Sequence, residues 1–189
     1  TNLSLSDNKS TSETIALYQK LNKWTEKGIL FGHQDDLAYG VNWKYVAGKS
    51  DVKDVVGDYP AVYGWDIAGI ENDSPNNIDG VPFDKMKQYI IESNARGGIT
   101  TISWHAHNPL TSKNAWDTTP KSLASVLPGG VSHEKFTTWL DKAATFMTSL
   151  KDKNGKDYAL FSGDTLFLGD VGRPDLAQIS GKITQEDLA

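Results

Sequence analysis

The 189-residue sequence has no cysteine. Disulfides, thiolate nucleophiles and cysteine-held metals are therefore excluded, and cysteine usage leaves the redox compartment unmarked. Positive charge is scarce: 19 Lys and Arg stand against 24 Asp and Glu, a formal net charge of -5. That balance argues against nucleic acid or an anionic membrane surface as partner, because both reward a basic face. A neutral ligand is easier to accommodate. No apolar run approaches the ~20 residues that span a bilayer as a helix. The chain opens at Thr1 without a basic and apolar leader, so any export signal is expected either to have been removed or to lie outside this sequence.

What is present reads as globular, with 38% hydrophobic and 23% charged residues, and the chain is long enough to bury a core. Aromatics are plentiful: six Trp, seven Tyr and six Phe. Ser10 and Glu13 have capping-box spacing, and Ile15, Leu17, Tyr18, Leu21 and Trp24 follow at helical intervals up to Gly28, predicting an amphipathic helix. The apolar run Ile29 to Gly32 predicts a strand covered on both faces. Ser50 caps a short helix through Val56, and Ala61 to Ile67 reads as a second strand. A helix from Phe83 to Arg96 with Met86, Tyr89 and Ile90 on one stripe ends at Gly97-Gly98, before a third strand from Ile99 to Trp104. Ser132 then opens a helix whose Phe136, Trp139, Leu140, Ala143, Met147 and Leu150 keep the period for four turns.

Strands alternating with helices imply parallel pairing and an α/β fold. Loops after the strands are long and the returns are tight, the habit of a (β/α)₈ barrel, whose chemistry sits at the C-terminal strand ends. A whole barrel needs about 250 residues. The expectation is therefore an incomplete barrel of three to four β/α units.

His33, Asp66, Glu71, His105, His107 and Asn108 would all lie at strand ends on one rim. His105 and His107, two apart, could share a face and grip a divalent metal. The longer HxHxDH signature fails because Pro109 and Leu110 stand where Asp and His are needed. A kinked strand end would instead present His105 alone to a substrate and leave His107 to brace a loop. Gly48-Lys49-Ser50 is not a phosphate loop, since Trp43 occupies the position of the required glycine. His133, in the first turn of a helix, reads as solvated. Trp43, Trp65, Trp104 and Trp116 lie in or beside the strand-end loops, where flat rings stack on sugars and polar groups bind hydroxyls. Trp65 and Trp104, inside strands, read equally well as core.

The segments ILFGHQDDLAYG, SDVKDVVGDYPAVYGWDIAGIEN, GGITTISWHAHNPLT, AWDTTPKS and LPGGVSHEKFTTWLDKAATFM together resemble the N-terminal half of a glycoside hydrolase family 26 enzyme, from about Ile15 to Leu150. The resemblance implies a (β/α)₈ barrel, retaining hydrolysis of β-1,4-mannosidic bonds in mannan or galactomannan, no metal or other cofactor, and secretion to a bacterial cell surface or beyond. By position it implies that His105 and Trp116 line the substrate cleft and that Asp66 and His33 lie near its floor. At His107 the family usually has Asn. Its mechanism needs an acid/base and a nucleophilic glutamate about 5 Å apart, the first within a stretch resembling RPFHE that this sequence lacks. No residue is therefore assigned as catalytic. Glu71 and Glu134 are the available substitutes, and neither matches the acid or the nucleophile.

After Leu150 the likeness changes. Tyr158 to Ala177 (YALFSGDTLFLGDVGRPDLA) resembles metallo-β-lactamase-fold proteins of the persulfide dioxygenase and rhodanese-fused kind, in which the counterpart of Asp164 is a metal ligand. The expected organisation is a half-barrel over 1–150 and a short foreign segment over 151–189, joined through the charged turn at 151–156. Three functional readings stand: a mannan-directed half-barrel without turnover, a metal-dependent hydrolase using His105, His107, Asp164 and His33, and a non-catalytic glycan-binding protein. Exposed sheet edges and helix faces lead to the expectation of self-association that completes the sheet, a rearranged three-layer sandwich or marginal stability, and the segment 158–168 could serve as a substitute fourth strand.

Overall fold

The structure, a computed structural model, describes residues 10–151, residue 155 and residues 161–162. Its elements in chain order are α1 (Ser12–Thr25), β1 (Gly32–Gln34), β2 (Tyr39–Gly40), β3 (Trp43–Lys44), α2 (Asp51–Val56), β4 (Val62–Asp66), α3 (Phe83–Ala95), β5 (Ile99–Ser103), α4 (Ser122–Val126), α5 (His133–Thr148) and β6 (Phe161–Ser162). A four-stranded sheet runs β1-β4-β5-β6 with every pair parallel, and β2 and β3 form a separate antiparallel hairpin. Strand order follows chain order without reversal. A doubly wound sheet would reverse it; unreversed order with crossover helices on one face is a stretch of barrel wall.

Among the described residues α3 and α5 cover one face of the sheet. His33, Tyr63 and Thr100 are in register, as are Trp65 and Ile102, and residues in register share a face. Trp65 stacks on Tyr89 of α3 at 5.8 Å, so that set faces the helices. There Tyr63, Trp65, Ile102, Met86, Ile90, Ala143, Phe146 and Leu150 form one buried cluster. The opposite face carries Gly64, Asp66, Thr101 and Ser103. In a closed barrel it would be the packed interior; here Gly32 and Gln34 on it are exposed.

Local chemistry explains the helices. Ser50 caps α2 by accepting from Lys53 N, and Gly57 ends it at φ 84°. In α3, Met86, Ile90 and Ser93 are buried at four- and three-residue spacing. Gly98, just beyond, is required by contact: a Cβ there would sit 2.5 Å from the Tyr63 ring. In α5 the buried face is Trp139, Ala143 and Phe146, continuing to Leu150. Phe146 takes the place expected for Met147, and Leu140 is on the solvent side at 37% exposure.

Three expectations are corrected. The cap of α1 is Thr11, which accepts from Thr14 N, one residue beyond Ser10. The first strand is Gly32–Gln34, not Ile29–Gly32; Ile29 is 98% and Phe31 60% exposed, so the run is not covered as a two-faced strand requires. His133 is half-buried and its Nδ1 donates to the Val126 carbonyl at 2.9 Å. The substitute fourth strand is present at Phe161–Ser162, paired with Thr101 and Ile102; the rest of 158–168 lies outside the described residues.

Candidate functional site

The C-terminal ends of β4 and β5 bring together groups from the two loops that follow them. Asp66 ends β4 and is almost wholly buried. Its Oδ1 accepts from Ala68 N at 2.7 Å and its Oδ2 from the Ser103 hydroxyl at 2.7 Å. His105 Nδ1 lies 2.5 Å from the same Oδ2. Burial works against the charged form of Asp66, but the bonds from Ala68, Ser103 and His105 outweigh it and hold the carboxyl below its usual range. An ionised carboxylate can only accept, so Nδ1 of His105 carries the hydrogen of this contact. The ring is half exposed.

A second pair lies beside it. Glu71, in the turn Ile70–Asn72 and 2% exposed, receives Gly69 N at 2.9 Å, Trp104 Nε1 at 3.1 Å, His107 N at 3.1 Å and His107 Nδ1 at 2.7 Å. Burial again opposes ionisation, and the hydrogen bonds from His107 and Trp104 hold the carboxyl below its usual range. Lys142 of α5 donates to the Glu71 carbonyl at 2.9 Å and to Asp73 at 2.7 Å, fastening the turn to the helix wall. Trp104 stacks on Phe136 of α5 at 6.5 Å. Glu71 is thus the anchor of the chain leaving β5.

Trp116 is 81% exposed, with its ring 6.4 Å from that of His105. Its loop is held from below by Asn108, which donates to Ser122 Oγ at 2.7 Å and to Asp117 Oδ2 at 3.1 Å. Asp117 Oδ1 in turn receives the backbone N and hydroxyl of Thr119. A rigid loop thereby carries an uncovered indole beside an uncovered imidazole, the arrangement that stacks on one face of a sugar ring and bonds to its hydroxyls.

Of the residues singled out by sequence, Asp66, His105 and Trp116 come together. His33 does not join them: it shares the helix-side face with Tyr63, borders a groove against α2, and lies 3.5 Å from Asp36. His105 and His107 are divided between two carboxylates instead of facing one point, and among the described residues no three His, Asp or Glu are grouped as metal ligands. Asp164 lies outside the described residues. Glu134 is exposed in the first turn of α5. Sequence reading missed Ser103 and placed Glu71 on the rim without a partner. The signal for Glu71 was its position after a strand, but three of its four hydrogen bonds come from Trp104 and His107, more than thirty positions away.

The comparisons with known proteins agree with this geometry. The family model described as glycosyl hydrolase family 26 matches residues 6–156. A mannan endo-1,4-β-mannosidase of Bifidobacterium adolescentis is 32% identical over 157 residues, 81% of this chain and 15% of its own length. A solved family 26 β-mannanase from Bacteroides ovatus is 45% identical with a TM-score of 0.78, covering 81% of this chain and 45% of that one. A modular endo-β-1,4-mannanase from Cellulomonas fimi is 33% identical with a TM-score of 0.73, covering 85% of this chain and 37% of that one. This chain spans less than half the length of these relatives. With a family model matched over most of its length and relatives above 30% identity, the chain belongs to glycosyl hydrolase family 26.

Proposed function

We propose that this chain binds β-1,4-mannan or manno-oligosaccharides along the rim formed by Asp66, His105 and Trp116, and that it does not cleave them. The observation that carries the reading is the pairing of the Asp66–His105 contact with the exposed Trp116 ring 6.4 Å away. An ionised Asp66 orients the His105 ring, and Trp116 offers a flat apolar surface. The names of the relatives, mannanases in each case, support mannan as the polymer.

Retaining hydrolysis needs two carboxyl groups about 5 Å apart, one to protonate the leaving oxygen and one to attack the anomeric carbon. The buried carboxylates of the rim are both committed: Asp66 holds His105 and Glu71 holds Trp104 and His107. Both are kept ionised, so neither is a proton donor at neutral pH. The residues that follow 150 carry no counterpart of the missing acid; the likeness of 157–189 to a metallo-β-lactamase-fold protein fits a segment of separate origin. Secretion or display on a bacterial surface suits a polymeric substrate, and the edge of β1, unpaired among the described residues, favours self-association.

Incubating homogeneous protein with galactomannan and counting new reducing ends tests the reading. The expected rate is indistinguishable from buffer. Release of mannooligosaccharides that a single substitution such as Glu71→Gln or Asp66→Asn abolishes would refute it.

A further inference from the structure

Trp116 stands on a loop whose backbone is not in its relaxed shape. Ser112 lies in the left-handed region at φ 61°, a conformation that costs a non-glycine residue free energy and persists only where neighbours hold it. Lys135, in the first turn of α5, supplies such a hold from outside the loop. Its Nζ donates to the Pro109 carbonyl at 3.0 Å and to the Ser112 hydroxyl at 2.8 Å. On the way the ammonium passes 4.9 Å from the centre of the Trp139 ring, which is itself buried. A cation in the first turn opposes the helix dipole, so helix formation does not account for a lysine at this position. A residue that breaks a local rule in this way points to a role elsewhere.

From Ser112 the restraint reaches Trp116 through bonded neighbours. Ser112 N donates to the Asn108 carbonyl at 2.8 Å, and Asn108 N to the Lys113 carbonyl at 2.8 Å, closing a tight turn after β5. The Thr111 hydroxyl and Asn108 Nδ2 both donate to Asp117 Oδ2. Asn114 then holds the backbone of the indole: Trp116 N donates to its Oδ1 at 3.2 Å and Asp117 N to its carbonyl at 3.0 Å. Lys142, two turns further along α5, makes the same kind of contact with the loop after β4, at the Glu71 carbonyl and Asp73. Residues seven apart share a helix face, so one face of α5 fastens both loops of the rim.

We propose that Lys135, through Ser112, is a positioning residue that holds the Trp116 ring beside His105, and that saccharide affinity depends on this link. The role given to Trp116 rests on the binding reading above. Lys135 touches no ligand; it acts through the backbone of residues 108–117. Both of its contacts are exposed, so the link adds little to the stability of the fold. Its effect is on affinity, because a loop ordered in advance spares the ligand the cost of ordering it.

Titration calorimetry with mannohexaose, run beside thermal unfolding, separates positioning from mere support. Lys135→Met and Ser112→Gly are each expected to bind about three- to fivefold more weakly, and Lys135→Arg to recover wild-type affinity. Ser112→Gly relieves the left-handed strain, so its thermal midpoint should hold or rise while its affinity falls. A residue that only supports the fold would lower both together. The double variant should bind no more weakly than Ser112→Gly alone, because the two changes cut one link. Wild-type affinity in either single variant, a midpoint of Ser112→Gly that falls with its affinity, or losses that multiply in the double variant overturns the proposal. The indole N–H resonance of Trp116, identified by its loss in Trp116→Phe, gives a reading free of saccharide. It should shift and broaden in Lys135→Met and in Ser112→Gly, and an unchanged resonance in either overturns the proposal. If the wild type binds no mannohexaose, the binding reading fails and this resonance alone decides whether Lys135 positions Trp116.

Discussion

Replacing Glu71 by Ala is expected to lower the unfolding free energy by about 3–5 kcal/mol, the usual cost of removing one partner from a buried ionic contact. The side chain is fully buried and takes four hydrogen bonds, three of them from Trp104 and His107. Its loss leaves an indole N–H, two backbone N–H groups and an imidazole N–H without their acceptor. Against a domain stability of about 5–15 kcal/mol, that is a large fraction. Glu71→Gln keeps the volume but turns an NH₂ group toward two donors, so it should retain much of the loss. Urea unfolding at neutral pH measures both; a change below about 1 kcal/mol in Glu71→Ala would show that Glu71 does not anchor the rim. The same contact sets an acid limit. Because the folded carboxyl is held below its usual range, its contribution is complete above the unfolded value of about 4.3 and is lost as pH falls through the folded one.

The second large effect concerns association. Among the described residues β1 pairs with β4 on one side only, and beside it a groove of about 580 Å³ is bordered by Ile29, Phe31, Val55 and Val56. These four are 98%, 60%, 84% and 68% exposed. Burying such side chains is worth about 1.5–3 kcal/mol each, roughly 6–12 kcal/mol together, against about 4–15 kcal/mol for lost freedom on association. The terms nearly cancel, so a weak, concentration-dependent dimer is expected, with unpaired strand edges as the template. Sedimentation velocity should show the average mass rising with concentration in the wild type and constant in Phe31→Lys/Val55→Lys. A wild-type monomer at every concentration, melting in one cooperative step, would contradict this.

Much of the wall was legible because its signals are local. The stripes of α3 and α5, the glycine stop before β5 and the serine cap of α2 each combine a period with a terminating residue. β1 was misplaced for a physical reason: an apolar run predicts burial only where something covers it, and Ile29 and Phe31 are 98% and 60% exposed. The hairpin Tyr39–Lys44 and the short α4 were not anticipated, since two- to five-residue elements leave no period to count.

The site was legible in its members and not in its connections. Strand-end position singled out Asp66 and His105, and the kinked exit from β5 does separate His105 from His107. The partner assignments, Asp66 with His105 across 39 positions and Glu71 with Trp104 across 33, are products of parallel pairing and cannot be read from spacing. His33 was misgrouped because counting along a three-residue strand does not tell which face a residue takes; its register with Tyr63 does.

Calorimetric titration of the purified chain with mannohexaose, beside Trp116→Ala, tests the central claim most directly. Saturable binding that weakens at least about tenfold in the variant, some 1.4 kcal/mol, is the predicted result. Equal binding by both proteins, or no heat from either, would contradict it.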